Sequence, residues 1–341
     1  MKKTSLNDIA QRLGVSKTLV SLVLNGKGKE HRISLDVCKK VIETAKEMNY
    51  LPNQIAKGLR TGRTNTIGLI IADIANPFFG KLGREIEKEL AKQGYRLMLC
   101  SSDENAEKSN EQIDMLLQGQ VDGFIISPAR NSEEQIRSLE RNEKPYVLID
   151  RYFPEINSSY VVIDNQEAAY EATQHLVNLK YKKIACITVN ADLVNMRDRL
   201  NGYKNALADA KIPVDENLIK ELPFSHESKD VTKAIKELIG KNKKGVDAIF
   251  FTSSKVGIMG IESLNRLGLV IPDDIAVVSF DDPDSYKLCY SPITTVAQPL
   301  ADMGKIAVKI LLSEIKNPKS LIKNQKITLK ANFVIRKSCG S

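Results

Sequence analysis

From Thr66 to Phe280 the sequence runs twice through one alternation, and this restricts the fold more than any other feature. Short apolar runs at Ile67 to Ala72, Arg96 to Cys100, Gly123 to Ser127 and Tyr146 to Ile149 read as buried strands. Amphipathic stretches at Leu82 to Gln93, Glu107 to Gly119 and Ser132 to Arg141 read as the helices between them. Strands alternating with helices in this way build a parallel sheet. A second series has strands at Ile184 to Val189, Ile219 to Leu222, Ala248 to Phe251 and Ile275 to Phe280. Its helices fall near Arg199 to Ala210, Lys229 to Ile239 and Val256 to Leu267. The fold class is α/β, and two lobes of one kind imply a cleft between them.

Ligands of open parallel sheets lie beyond the carboxyl ends of the strands. The loops there cover 73–79, 127–130, 150–152, 190–199, 252–255 and 281–282. They are rich in Asn, Asp, Arg and aromatic residues, the groups that hydrogen-bond to and stack on a polar small molecule. Strand-end loops are polar in any case, so no single loop identifies a ligand contact.

Ahead of this body, Ser5 to Asn25 reads as two short helices joined at Gly14-Val15, a helix-turn-helix. Ser5 caps the first helix with Asp8 in capping-box position, Gly14 supplies the left-handed residue that ends it, and Ser16 caps the second. Ala10, Val15, Val20 and Val23 are spaced to pack the pair. That leaves Lys17 and Thr18, at the start of the second helix, facing outward to meet base edges in a major groove. A third helix begins at Ser34 and runs to about Met48, with Val37, Val41, Ile42, Ala45 and Met48 as its apolar stripe. The stretch Tyr50 to Thr64 has room for about two helical turns before Gly62, too few to be well populated alone in water. It is either a basic interdomain linker or a hinge helix that orders on DNA, with Leu59 as an apolar wedge in the minor groove.

Charge separates these parts. Of 50 Lys and Arg, thirteen lie in residues 1–65 against five Asp and Glu, leaving 37 of each sign in the remainder. The whole excess of +8 sits in the first fifth of the chain, as an electrostatic grip on nucleic acid requires. Five scattered cysteines without a CxxC pair suggest neither a disulfide framework nor a zinc site, and His31, His175 and His226 show no ligand spacing. No metal or cofactor is expected. There is no run of about 18 apolar residues and no secretory signal, so the expected location is the cytoplasm, without a membrane partner. No GxxxxGK[ST] loop, no GxGxxG after the first strand and no defensible Ser/His/Asp order supports an enzyme.

In order, the motifs are Asp8-Ile-Ala, Val15-Ser-Lys-Thr-Leu-Val-Ser21, Leu24-Asn25, Tyr50-Leu-Pro-Asn53 and Ala56-Lys-Gly-Leu-Arg60. There follow Thr66-Ile-Gly-Leu-Ile70, Asn76-Pro-Phe-Phe79, Asp122-Gly-Phe-Ile125, Ile149-Asp-Arg151, Arg199-Leu-Asn-Gly-Tyr203, Ile271-Pro-Asp-Asp-Ile-Ala276, Phe280-Asp-Asp282 and Thr294-Thr-Val-Ala-Gln-Pro299. In this order they make the chain resemble, over almost its full length, the LacI/GalR family of bacterial transcription regulators.

The resemblance implies an all-α helix-turn-helix headpiece (1–50) and a hinge helix (51–65). After these comes a two-lobed, periplasmic-binding-protein-like α/β domain with parallel sheets (66–341). The lobes would comprise about 66–163 with 293–323, and 164–292 with 324–341. It further implies a homodimer, most often a repressor, on palindromic double-stranded operator DNA, controlled by a sugar or sugar derivative in the cleft. Carried over by position, the DNA contacts are Thr4, Ser5, Ser16, Lys17, Thr18, Ser21, Leu22, Asn25, Ala56, Lys57 and Leu59. The effector contacts are Asp73, Asn76, Phe78, Phe79, Ser127, Arg151, Arg199, Lys255 and Asp281.

Two departures from the family pattern qualify the transfer. Leu22 stands where an arginine is frequent; it cannot donate to guanine but can touch a thymine methyl. Ser254-Lys255 stands where Asn-Asp is common, replacing an acceptor for sugar hydroxyls by a cation. Either the effector is anionic, a sugar acid or phosphate held near Lys255 and Arg199, or Lys255 points to solvent. A cytoplasmic sugar-binding receptor without a DNA role is the alternative; the missing signal peptide and the basic head speak against it.

Overall fold

The computed structural model describes residues 4–50, 63–189, 192–240, 245–317 and 324–341. The chain divides between Thr64 and Asn65 into two units.

The first unit contains three helices, α1 (Leu6–Leu13), α2 (Lys17–Leu24) and α3 (Leu35–Glu47). Each starts where a serine side chain replaces a missing helical acceptor. Ser5 Oγ accepts from the Asp8 amide while Asp8 accepts from the Ser5 amide at 2.7 Å, closing a capping box. Ser16 Oγ accepts from Leu19 N at 3.1 Å and Ser34 Oγ from Val37 N at 3.4 Å. Gly14, at φ 66°, turns the chain between α1 and α2. Ile9, Ala10, Val20, Val23, Val41 and Ala45 form the buried core, with Val15, Val37 and Met48 packed on it. Ile42 departs from the expected stripe and is 42% exposed. The buried face of α3 follows positions 37, 41, 45 and 48, and residue 42 lies about 100° around the helix from 41.

The second unit holds two six-stranded sheets. The first has the order β11-β5-β4-β3-β1-β2, all parallel: β1 (Thr66–Ile71), β2 (Arg96–Ser101), β3 (Gly123–Ile126), β4 (Tyr146–Ile149), β5 (Tyr160–Ile163) and β11 (Lys326–Leu329). The second has the order β12-β10-β9-β8-β6-β7, from β6 (Ile184–Val189), β7 (Ile219–Leu222), β8 (Ala248–Phe251), β9 (Ala276–Phe280), β10 (Thr294–Ala297) and β12 (Asn332–Val334). Here β12 lies antiparallel on β10, one exception to the expected parallel pairing. It follows β11 after two residues, which carry the chain from the first sheet to the edge of the second.

Helices cover the sheets. They are α4 (Pro77–Lys92), α5 (Ala106–Gln118), α6 (Glu133–Arg141) and α11 (Leu300–Lys316) on the first lobe, and α7 (Asn165–Asn178), α8 (Val194–Asp209), α9 (Ser228–Ile239) and α10 (Ser254–Arg266) on the second.

The chain passes between lobes three times: after β5, between β10 and α11, and between β11 and β12. Residues 294–297 therefore pair in the second sheet and 326–329 in the first, the reverse of the sequence expectation for these two stretches. Register decides this: Thr294 lies opposite Val278 and Lys326 opposite Tyr160. In both lobes the order 2-1-3-4 reverses direction beside the first strand of the series, which opens a crevice at the carboxyl strand ends.

Candidate nucleic-acid face and interlobe ligand cleft

At the head of α2, Ser16, Lys17 and Thr18 are exposed, and Lys17 makes no ion pair among the described residues. The Ser16 hydroxyl is already used as a cap. Ser21 and Leu22 are half-buried one turn further on, and Leu22 stands outside the headpiece core. Asn25, exposed, donates to Ser21 O at 2.7 Å, and Thr4 donates to Met48 O at 2.8 Å. Ser5 is exposed beside its capping partner. Ala56, Lys57 and Leu59 lie outside the described residues. What the described set forms is an exposed donor-bearing helix start with one apolar side chain beside it.

The second unit brings Asp73, Asn76, Phe78, Phe79, Arg151, Arg199, Lys255 and Asp281 around one cavity of about 50 Å³ between the lobes. Ser127 is set back from it and donates to Asp150 Oδ2 at 3.3 Å. Sequence reasoning did not single out Asp150, Asn195, Phe224, His226, Ser253 and Gln298, which also line it. Asp150, Asn195 and Ser253 fall in the strand-end loops picked out above. Phe224 and His226 follow β7, and no motif marks them.

Two buried strand-end carboxylates face each other across this site. Asp150 and Asp281 both have positive φ, 70° and 64°, a conformation that aspartate tolerates better than most residues. Burial pushes the Asp281 carboxyl above its ordinary value, against the pull of Arg199 and a hydrogen bond from Gln298 Nε2 at 2.8 Å. Arg199 is 2% exposed. Its Nε donates to Asn165 Oδ1 at 2.8 Å, its Nη1 to Thr252 O at 2.7 Å, and its guanidinium lies 3.6 Å from the centroid of the Phe280 ring. Burial lowers its pKa, with Asp281 and Asp150 opposing. Arg151 pairs with Glu104 at 2.7 Å, and both side chains are about nineteen-twentieths buried.

Lys255, at the start of α10, points into the cleft and not to solvent. It reaches across to Asp73 at 3.0 Å and lies 5.5 Å from the centre of the Phe224 ring. Further contacts cross between lobes: Arg130 with Asp192 at 2.5 Å, Asn195 with Asp150 at 3.4 Å, and Lys81 with Asp284 at 3.0 Å. The charged lining is three carboxylates, Asp73, Asp150 and Asp281, against three cations, Arg151, Arg199 and Lys255. It is polar and sums to zero.

Among the described residues no helix is long and apolar enough to cross a membrane. Residues 5–53 match the profile of bacterial regulatory proteins of the lacI family. Residues 64–337 match that of periplasmic binding proteins and the sugar binding domain of the LacI family. The HTH-type transcriptional regulator DegA of Bacillus subtilis (strain 168) is 34% identical over 341 residues, 98% of either chain. The HTH-type transcriptional repressor PurR of Aliivibrio fischeri (strain MJ11) is 33% identical over 316 residues, 92% of either chain. The solved complex of the transcriptional regulator CelR with cellobiose has a TM-score of 0.72 and 28% identity, covering 98% of this chain and 100% of that one.

Proposed function

The chain belongs to the LacI family of bacterial regulatory proteins and is not an enzyme; from that premise we propose how it reads DNA and what controls it. It is a cytoplasmic, homodimeric transcriptional repressor whose two headpieces bind the half-sites of a palindromic operator. The start of α2 enters the major groove. Lys17 and Thr18 donate to base edges, and Leu22 packs on a thymine methyl where an arginine would read guanine. The observation that carries this is the exposed Lys17, without an ion pair among the described residues, on the headpiece of a chain whose whole charge excess lies in residues 1–65. The hinge segment with Leu59 as wedge, and Ala56 and Lys57 beside it, completes the grip.

The cleft takes a small polar effector. A cavity of about 50 Å³ is far smaller than the several hundred that a small-molecule site encloses, so the lobes part to admit it. Binding then changes the population of lobe arrangements, and operator affinity follows in proportion to the effector's preference for one of them.

A gel shift on the DNA upstream of the gene tests the DNA arm. Specific binding should fall steeply with salt. Lys17→Ala should cost about 1–3 kcal/mol and relax base preference at one position, while Leu59→Ala should weaken specific more than non-specific binding. Equal losses on operator and random DNA for both variants would refute the assignment.

A further inference from the structure

Away from the cleft, a thiol lies against a base. Cys339 closes the short helical turn Lys337–Cys339, which packs on β9 and β10 of the second sheet. Its Sγ is 3.2 Å from Nε2 of His175 on the last turn of α7, 3.0 Å from Thr294 Oγ1 of β10 and 3.0 Å from Ser341 Oγ. The imidazole meets the Phe333 ring of β12 edge to face, with 5.1 Å between centroids. Two more groups face Cys339: the Tyr181 hydroxyl, which donates to its carbonyl oxygen at 3.1 Å, and the Arg336 carbonyl, 3.4 Å from the sulfur. The Arg336 guanidinium is spent on Asp282 and Ile293 O, and Lys337 is exposed.

A thiol and an imidazole at this distance share one proton, and with the proton on the ring the sulfur is a thiolate, the form that reacts. Burial opposes that charge, but hydrogen bonds from His175, Ser341 and Thr294 outweigh it and bring the thiol down to about 7. Burial moves Cys100, Cys186 and Cys289 the other way. The sulfur is buried, yet Ser341 beside it is exposed and is tied by its hydroxyl only to that sulfur and, at 3.5 Å, to Arg336 O among the described residues. A molecule of water-like size reaches the sulfur when those two contacts open.

There is little room here for an added atom. Ser338 Oγ accepts from Thr294 N at 2.8 Å and donates to Val277 O at 2.6 Å, and Arg336 grips Asp282 at 2.7 and 2.8 Å. The segment is thus pinned on the chain just before the sulfur, and enlarging a fully buried side chain forces its surroundings to shift. Asp282 adjoins Asp281 of the cleft wall, so the clamp reaches the loop beside the cleft.

We infer that Cys339 is a redox modification site: hydrogen peroxide oxidises its thiolate to a sulfenic acid, and the enlarged side chain releases residues 336–341 from β9 and β10. In this step the sulfur attacks one peroxide oxygen, an S–O bond forms as the O–O bond breaks, and the departing hydroxide takes the proton from His175 and leaves as water. Sulfur loses two electrons and the peroxide gains them.

The test uses the full chain with hydrogen peroxide, dimedone as the trap for sulfenic acid, and peptide mass spectrometry. Cys339 should be labelled about tenfold faster than Cys38, Cys100, Cys186 or Cys289. Its rate should climb with pH through a midpoint near 7. His175→Gln, which keeps a hydrogen-bonding group without the basic ring, should move that midpoint to about 8.5 and slow labelling at neutral pH about tenfold. Hydrogen exchange at the Thr294 and Ser338 amides should quicken after oxidation, and peroxide should leave it unchanged in Cys339→Ser. Equal labelling of all five cysteines overturns the site, as does a midpoint that a folded His175→Gln protein leaves in place. If that variant does not fold, the unaltered protein decides, since a midpoint at about 8.5 or above overturns the pairing. Labelled Cys339 with unchanged exchange at Thr294 and Ser338 overturns the release.

Discussion

Removing the cross-cleft ammonium by Lys255→Met should tighten binding of a neutral effector. At 3.0 Å, and with an effective dielectric constant of about 20, the Coulomb attraction between Lys255 and Asp73 is about 5.5 kcal/mol. Most of it is offset by desolvation, because only 32% of the lysine and 16% of the aspartate side chain remains exposed. The net contribution then falls between the values for exposed and for buried pairs, about 1–2 kcal/mol. The pair joins α10 of one lobe to the loop after β1 of the other, so it stabilises only the closed cleft, and the closed cleft is too small for a sugar. Without the ammonium, opening becomes cheaper by that amount, and affinity should rise about five- to thirtyfold. Titration calorimetry measures the gain. Small-angle scattering of the ligand-free protein should show a larger radius of gyration. Asp73→Asn should act in the same direction, and the double variant should add little to either. A loss of affinity in Lys255→Met would refute this reasoning, since it would mean that the ammonium holds the ligand and not the opposite lobe.

Two further outcomes follow from the buried groups. Arg199→Met leaves Asp281 buried with its main compensating cation gone, which costs about 3–5 kcal/mol. At roughly 2 °C per kcal/mol for a unit of this size, the melting temperature of the second unit should drop by about 6–10 °C. Adding Asp281→Asn should recover most of the loss, and an unchanged melting temperature would show that the guanidinium is not compensating the carboxylate. Affinity for a neutral effector should stay flat as pH falls from 8 to about 6.5, the ordinary imidazole value, and decline only below it. Burial depresses the folded-state pKa of His226, against the hydrogen bond to Pro223 O, with Lys255 on α10 lowering it further and Asp230 on α9 raising it, and a proton on Nε2 removes the acceptor. Decline that begins above 6.5 would contradict the depressed pKa.

What the sequence shows of this molecule depends on how far apart the interacting residues lie. Headpiece starts and stops are set within three or four residues, by Ser5 with Asp8, Ser16 with Leu19 and Gly14 at its left-handed turn, and each can be read from spacing. The apolar strands of both lobes are visible for the same reason, since burial on two faces leaves a local signature. β12, of three residues, is too short to show one, and β5, as long as β3 and β4, follows β4 with no helix between them and so falls outside the alternation that marks the others. The assignment of β10 and β11 to lobes depends on register with strands far away, as Lys326 opposite Tyr160 illustrates, and no hydropathy pattern encodes a partner. Lys255 was visible as a cation where an acceptor was expected. Its meaning depends on Asp73, 182 positions earlier. His226 looked like an isolated histidine because the carbonyl that fixes its tautomer, Pro223 O, belongs to a loop conformation and not to a motif.

Charge placement also constrains how such a protein transmits a signal. All of the formal excess lies in residues 1–65, and the cleft lining balances to zero. A neutral effector entering a neutral site leaves the long-range field of the protein unchanged, so it cannot weaken operator binding by repelling phosphates. What it can change is the set of cross-lobe contacts, Lys255 with Asp73, Arg130 with Asp192 and Lys81 with Asp284, each of which belongs to the closed arrangement. Control by such an effector would run through lobe geometry, with its size bounded by the difference in effector affinity between the two arrangements. The basic headpiece sets how strongly DNA is held, and the charge-balanced cleft sets when.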